Sequence, residues 1–453
     1  MDREYVVLFV IVGVTAGLFA AIAGRGLLFA VLPLLVTLNG VAVRTPAGMV
    51  RLDQLAGLLI GVGYAVSYLL APRPIAFDRT MRWMIALLLV SLYSSAFTSP
   101  DTRYSLAQMV NYFSAIWLYA VVVLCTDTLA DVDRVTEHFV TAGIIGGLVG
   151  IVAFVLGIVG LPVGGANVDI TVRGLAFGSY GTMREPNIFG NFCQIFFVFG
   201  VALVQLPSPE ERPLPSGRLV LMLGVSSLGL VLSFTRGAWI GAVAGLLGVT
   251  VLNVMIFGSR LRLSRIVVPV LVALVAGSVI WYVSEDAQEF MSEKLLNLFN
   301  PKSENAAIRL LLYARALENI RQQPWLGWGT YSFAPLSVSG IDVRLMGNLH
   351  DIWLGNYVML ALHDTGLVGL VIFGGILLSV LRPAFVTAKA WAQTDRVRAV
   401  RLSGLVAAFA SLLVSFLPSS GFTFGYPWLL LGIIGAYVRI GRAPERSEPR
   451  ATP

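Results

Sequence analysis

Arg236 is the residue of this chain whose type and position point most directly to chemistry. It interrupts the apolar stretch LVLSFTRGAWIG at 230–241, with apolar spans Leu219–Phe234 before it and Ala238–Gly258 after it. An ionisable group at the edge of the membrane hydrocarbon is energetically costly and is by default a functional hypothesis. The simpler alternative is a flanking arginine that snorkels to lipid headgroups.

Two further arginines are candidates for binding an anion. Arg184 lies in GTMREPNIFG, before an apolar span, and Arg309 lies in AAIRLLLYARALENIRQQ. The apolar stripe of the second segment predicts a helix from Ala306 to Gln323 that Pro324 stops. On this helix Arg309 and Tyr313 are one turn apart and can point together into a cleft.

His350 is the candidate proton acceptor among the three histidines of the chain. It closes a long polar segment, is followed by Asp351 and precedes an apolar run. Histidine exchanges a proton near neutral pH, and a neighbouring carboxylate can orient the ring. His363 lies next to Asp364 inside an apolar run, where a packing or helix-end role is the better interpretation.

Composition decides the class of protein in which these residues act. Apolar residues make up 57% of the 453 residues and charged residues 13%. Many apolar runs reach membrane-crossing length, which excludes a single soluble core and predicts an all-α, polytopic bundle of about 12 transmembrane helices. The predicted spans are Tyr5–Ala23, Gly26–Val43, Leu52–Ala71, Trp83–Thr98, Ser105–Cys125, Phe139–Leu161, Ile188–Leu206, Leu219–Phe234, Ala238–Gly258, Ile266–Ser284, Gly366–Leu381, Leu402–Pro418 and Tyr426–Ile440.

The net charge of +7 reports topology rather than a nucleic-acid partner, because most arginines lie in short loops between spans. The cationic loops alternate to one side, which the positive-inside rule assigns to the cytoplasm. The segment 162–187, the turn 235–237 and the segment 285–350 then face outward, together with Arg184 and Arg236. The side of the N-terminus stays open.

This pattern predicts four parts. They are an N-terminal transmembrane bundle at 1–284, an extracytoplasmic loop domain with helices at 285–350, C-terminal transmembrane helices at 351–442, and a disordered cytoplasmic tail at 443–453. Cys125 and Cys193 show neither disulfide nor metal spacing. The loop domain contains PWLGWG at 324–329, where Trp325 and Trp328 are suited to anchoring at the headgroup layer or to stacking on sugar rings.

Several of these segments together resemble one family. SFTRGAW, the Arg309 helix followed by PWLGWG, and the His350 stretch that runs into TGLVGL are similar to the O-antigen ligase and Wzy-type polymerase superfamily, bacterial membrane glycosyltransferases of the GT-C class. The resemblance runs from about Arg184 to Leu370. It implies transfer of a glycan from a polyprenyl (undecaprenyl) diphosphate carrier to an acceptor hydroxyl at the outer face of the inner membrane.

The resemblance also implies roles. Arg236 and Arg309 would bind the diphosphate of the lipid-linked glycan donor, with Arg184 as a weaker correspondence, and His350 would be the base for a glycan or glycolipid acceptor. Guanidinium groups match phosphate oxygens and stay charged, so the transfer is expected to be metal-independent. It is also expected to be inverting, with no cofactor and no nucleic acid. Membrane lipids are the remaining expected partners.

Two departures from the family pattern affect these roles. Thr235 stands where the family has serine before the arginine. The family histidine lies eleven residues before the glycine that starts the next span. Counting back eleven residues from Gly366 reaches Gly355, which is followed by Asn356. His350 is five residues further upstream, a rotation of about 140° on a continuous helix. Either the segment 350–356 is not regular helix, or the base is Asp351 or is absent.

A secondary transporter or exporter of an anionic or glycan substrate is the alternative function. It would also be polytopic and could use arginines for an anion, but the chain shows no inverted repeat and no paired broken helices. The choice between ligase and polymerase depends on the acceptor, which these residues do not identify.

Overall fold

The computed structural model describes residues 29–38, 40, 42–45, 48–51, 54, 68, 78–161, 164–167, 178–183, 185–206, 213–258, 278, 282, 292, 304–337, 354–419 and 421–442. Helices dominate these residues, with two short antiparallel β-ribbons, β1–β2 and β3–β4. In chain order the elements are β1 (Ala42–Thr45), β2 (Gly48–Arg51), α1 (Arg79–Phe97), α2 (Thr102–Cys125), α3 (Leu129–Ile158), β3 (Ala166–Asn167), β4 (Gly178–Ser179), α4 (Pro186–Leu203), α5 (Ser216–Leu232), α6 (Arg236–Phe257), α7 (Glu304–Gln322), α8 (Phe333–Ser337), α9 (Tyr357–Thr394), α10 (Arg396–Ser415), a 3₁₀ turn (Gly421–Thr423) and α11 (Gly425–Gly441).

The all-α, polytopic membrane fold is confirmed. Within the residues described, seven helices are long and apolar enough to cross a membrane: α1, α2, α3, α4, α6, α9 and α10. Helix α6 has the side-chain distribution of a membrane helix. Val243, Leu247 and Val251 form an exposed apolar stripe, while Ala242 and Val249 face the interior. Such a stripe suits lipid on one side and helix packing on the other.

Helix α4 is the centre of the bundle, and its side chains from Ile188 to Leu203 are all buried. It packs against α5, α6 and α10. Small residues on its neighbours permit close approach, since a Cβ at Gly143 would lie 2.5 Å from the Phe196 ring and one at Gly245 would lie 2.4 Å from Val198. Glycine at helix interfaces is typical of membrane bundles.

One end of the bundle, which we call the Arg401 end, is held by an ion network. Asp133 of α3 pairs with Arg401 and, at 3.2 Å, with Arg398, and it accepts a hydrogen bond of 2.6 Å from the Tyr437 hydroxyl. Arg439 donates to the carbonyl oxygen of Thr126 beside this network. Arg398 and Arg401 belong to the segment 382–401, which the sequence predicts to be cytoplasmic.

The predicted spans agree with the helices over most of the described chain. Each predicted span between Trp83 and Gly258, and each between Gly366 and Ile440, falls on one helix. The span Gly26–Val43 is wrong as a continuous helix: residues 29–36 are helical, a turn follows, and β1 starts at Ala42. The Gly40 N–H in this turn donates to the carbonyl oxygen of Thr182 at 3.0 Å, a partner that a continuous helix would not reach. The spans Tyr5–Ala23, Leu52–Ala71 and Ile266–Ser284 lie outside the described residues, apart from isolated positions.

Candidate active site at the Arg236 end of the bundle

Arg236 is presented by a tight turn between α5 and α6. Phe234 in this turn has a positive φ of 48°, an unusual conformation for a bulky residue, and its ring is buried against Phe154 at a centroid distance of 6.1 Å. Strain of this kind persists only where packing enforces it, and it concentrates at functional sites. The burial of the Phe234 ring therefore fixes the direction in which the chain enters α6.

The half-buried Arg236 is the first residue of α6. Thr235 is the N-cap, but its side chain makes no capping bond to the first turn; its hydroxyl donates instead to the carbonyl oxygen of Ser233 at 3.1 Å. A helix N-terminus carries partial positive charge and N–H groups that point outward. Arg236 thus combines a guanidinium with a helix dipole of the same sign, an arrangement that favours a phosphate.

Arg309 lies on α7, which runs from Glu304 to Gln322 as the sequence predicts. The Arg309 side chain is exposed. Its neighbour Tyr313 is half-buried and donates a hydrogen bond to the carbonyl oxygen of Gly355 at 3.0 Å. Burial raises the pKa of the Tyr313 hydroxyl above its ordinary value, and the charge of Arg309 opposes this rise. Arg309 and Tyr313 therefore share one local environment, as their spacing predicts.

The turn after α10 connects the two arginine-bearing segments. Pro418 touches the start of α6, because a Cβ on Gly237 would lie 3.2 Å from Pro418 Cγ. The carbonyl oxygen of Pro418 would lie 3.5 Å from a Cβ on Gly355, whose own carbonyl holds Tyr313. The segment of Arg236 is thus linked to Pro418 through Gly237, and the helix of Arg309 is linked to it through Gly355, at one end of the bundle, which we call the Arg236 end.

Helix α9 is broken at Gly366, and the Pro324–Gly329 turn is inserted into the break. Gly366 has φ 65° and ψ −166°, so the backbone carbonyls before it and the N–H groups after it lose their helical partners. The turn supplies replacements for both. The four hydrogen bonds are Trp328 N–H to His363 O at 2.8 Å, Gly329 N–H to Asp364 O at 2.9 Å, Leu367 N–H to Pro324 O at 2.8 Å and Val368 N–H to Trp325 O at 3.1 Å.

Side chains reinforce this junction. His363 and Asp364 are fully buried, and His363 Nδ1 lies 3.2 Å from Asp364 Oδ1. His363 Nε2 lies 3.2 Å from the Asn319 amide on α7, and Asp364 Oδ2 accepts from the Tyr331 N–H at 3.0 Å. This confirms the interpretation of His363 as a satisfied packing residue, because its buried ring has partners on both nitrogens.

The two tryptophans of the turn differ. The indole N–H of Trp328 donates to the carbonyl oxygen of Asn319 at 2.7 Å, so this ring connects the turn to α7. Trp325 is 65% exposed and is the one suited to the headgroup layer or a sugar ring.

Arg51 is an arginine at this end of the bundle that the sequence analysis missed. Its guanidinium donates to the carbonyl oxygen of Thr423 at 2.9 Å and lies 5.4 Å from the centre of the Phe424 ring. Thr423 borders a cleft of about 460 Å³, part of it open, between α1, α2, α9 and α11. The cleft walls are largely aromatic and include Tyr112 and Tyr357. No local signal marks Arg51, because its contacts are formed with residues near the other end of the chain.

Of the five predicted site residues, the structure describes Arg236 and Arg309 and connects their segments through Gly355 and Pro418. Arg184, His350 and Asp351 lie outside the described residues. In sequence His350 and Asp351 come four and three residues before Leu354, which directly precedes Gly355. Gly355, at the position of the family histidine, has no side chain.

Residues 220–374 match the family model described as O-antigen ligase. This part of the chain is similar to the O-antigen ligase family. The match covers about a third of the chain and includes Arg236, Arg309, the Pro324–Gly329 turn and the Gly366 kink. It supports a membrane glycosyltransferase of the ligase or polymerase type, active in polysaccharide and lipopolysaccharide biosynthesis. No curated protein matches the chain.

Proposed function

We propose that this protein transfers a glycan from a polyprenyl diphosphate carrier to an acceptor hydroxyl at the outer face of the cytoplasmic membrane. The observation that carries the proposal is that the segments of Arg236 and Arg309 are both linked to Pro418, which follows the C-terminal end of α10, whereas Arg401 lies near the N-terminal end of that helix. Cations at this end are not required by the topology. Within the region similar to the O-antigen ligase family they are the groups best suited to a lipid diphosphate.

The chemistry follows from these charges. The acceptor oxygen attacks the anomeric carbon, the bond from that carbon to the diphosphate oxygen breaks, and the electron pair leaves with the diphosphate. Arg236, the N-terminus of α6 and Arg309 stabilise the charge of this leaving group, and Arg184 is a third guanidinium proposed for the same role. Attack from the face opposite the leaving group inverts the configuration. Fixed guanidinium charge supplies what a divalent cation would otherwise provide.

The acceptor proton requires a base, and His350 or Asp351 is proposed. Both precede Leu354 by a few residues in sequence, and Leu354 leads into Gly355 and the Tyr313 contact. Because Gly355 carries no side chain where the family has histidine, the base must come from a different position in this chain. Ala substitution at His350 and at Asp351 separates the two, since the base variant loses turnover while its affinity for the donor is retained.

The test uses the full chain in lipid nanodiscs with an undecaprenyl-diphosphate-linked oligosaccharide and a glycolipid acceptor. The wild type should lengthen the acceptor and release undecaprenyl diphosphate, both detected by mass spectrometry. Arg236→Ala and Arg309→Ala should each lower the rate by about a hundredfold or more, the effect of removing one charged group from a leaving-group site. Arg82→Ala, which removes an exposed arginine near the start of α1, is the matched control and should be unaffected.

Two results would contradict the proposal. Near-normal transfer by either site variant would remove that arginine from the mechanism. Movement of the lipid-linked glycan across sealed vesicles without chemical change would assign the transporter alternative instead.

A further inference from the structure

We propose that the hydrogen-bond chain from the half-buried Asn319 to the buried His363 and Asp364 is a positioning unit that sets the location of Arg309 for the lipid diphosphate. The inference rests on the proposed function, because it assigns Arg309 to the donor. The match to the family does not by itself give these three residues a role. They are positioning residues, since none is argued to touch the substrate.

The first observation is that α7 depends on few contacts. Its buried side chains Leu312 and Ala316 belong to a small apolar cluster with Phe333, Leu354 and Leu360, separate from the main core. Among the described elements, α7 packs chiefly against α9 and also against α8. The orientation of α7 is therefore set by how it is fastened to the outer part of α9.

The second observation is that a specific hydrogen bond lies at each end of the contact between α7 and the outer part of α9. Near Arg309, Tyr313 donates to Gly355 O at 3.0 Å; further along the helix, Asn319 meets His363 at 3.2 Å. The assignment that satisfies every atom has His363 Nδ1–H donating to Asp364 and Nε2 accepting from the Asn319 amide. Asp364 in turn holds the N–H of Tyr331, a residue with a positive φ of 57°.

The third observation is the burial of the chain. His363 and Asp364 have no exposed surface, so water cannot replace a lost partner. In such surroundings a polar group that loses its partner forces a rearrangement. The described hydrogen bonds and ring contact of this pair lie on α7, on the Pro324–Gly329 turn, on Tyr331 after the turn, on Phe333 of α8 and within α9 itself, so any rearrangement would be felt where α7 and the turn meet α9.

Because α7 is a rigid helix, its orientation at this junction determines the position of Arg309. Asn319 lies about 15 Å along the helix axis from Arg309. A tilt of about 4° at the Asn319 end therefore moves Arg309 by about 1 Å. A displacement of this size at a reacting site can lower a rate by about a hundredfold.

The experiment is a double-mutant cycle on the binding of undecaprenyl diphosphate to the full chain in nanodiscs. Asn319→Leu keeps the side-chain shape and removes its bond to His363. We expect it to weaken binding by about tenfold in the wild-type background and by less than about twofold in an Arg309→Ala background, since effects through a shared contact are not additive. Glu318→Gln, at the neighbouring exposed position, is the control and should leave binding unchanged.

The outcomes separate the two proposals. Equal weakening by Asn319→Leu in both backgrounds indicates a general structural effect and overturns the positioning role. Normal binding by Asn319→Leu while Arg309→Ala binds weakly also overturns it, and leaves the proposed function intact. Normal binding by Arg309→Ala overturns the positioning role and removes Arg309 from the donor site, while the proposed function would then rest on Arg236. Should Asn319→Leu fail to fold, Asn319→Ser removes the same contact with a smaller side chain.

Discussion

Substitution of Gly366 should release the Pro324–Gly329 turn from the break in α9. A Cβ at this position would lie 2.3 Å from the carbonyl carbon and oxygen of Trp325, closer than real Cβ contacts. The backbone at φ 65° and ψ −166° is also one that essentially only glycine adopts, at a cost of about 1–3 kcal/mol for another residue. Gly366→Ala must therefore move either the turn or the helix.

The magnitude follows from the hydrogen bonds at risk. Backbone strain of about 2 kcal/mol and the loss of one or two of the four bonds, at about 1 kcal/mol each, lower the local opening free energy by about 3 kcal/mol. This corresponds to amide exchange about a hundredfold faster at the four donors of the junction. The donors are Trp328, Gly329, Leu367 and Val368.

Hydrogen–deuterium exchange measured by mass spectrometry on the protein in nanodiscs gives this rate directly. Gly374→Ala is the matched control, because it lies in the same helix and a Cβ there meets nothing within 4 Å. It should leave the four amides protected as in the wild type. Equal protection in Gly366→Ala and Gly374→Ala would refute the account of the turn as an insertion into the helix.

Three further outcomes are expected. Asp133→Asn should lower the free energy of unfolding by about 2 kcal/mol, because it removes the charge of the carboxylate closest to the buried Arg401 and leaves Glu137 Oε1 at 3.9 Å as the remaining anion; chemical denaturation in detergent measures this, and donor binding should be unchanged. Tyr313→Phe removes the bond to Gly355 O and should weaken the binding of undecaprenyl diphosphate about threefold to tenfold, the equivalent of one hydrogen bond, as measured by titration. Transfer should continue at the wild-type rate after EDTA treatment, and a requirement for added Mg²⁺ in the product assay would contradict the role given to the guanidinium groups.

The helices could be predicted from the sequence because hydropathy and turn chemistry are local. The apolar run 238–258 is α6 almost to the residue, and Pro324 stops α7 as expected. Where local pattern and tertiary contact compete, prediction failed: the apolar run 26–43 contains a turn at Gly40 that is held by Thr182.

The candidate site was predictable only in part. The apolar flanks of Arg236 and the spacing of Arg309 from Tyr313 are visible in the sequence, and both features are present in the structure. The roles of these residues and of Arg184, His350 and Asp351 stay predictions. Arg51 could not be found in this way, because its partner Thr423 lies 372 residues away.

The sequence by itself determined that this is a helical membrane protein and, over most of its described length, where the chain forms helices and where it turns. These properties depend on the transfer free energy of short segments, which composition records. Only the tertiary structure decided that Pro418 joins the Arg236 and Arg309 segments, and that the Pro324–Gly329 turn completes the broken hydrogen bonds of α9. The second depends on backbone groups that every residue carries, and the first depends on residues that lie far apart in the sequence, so no local pattern identifies the partners.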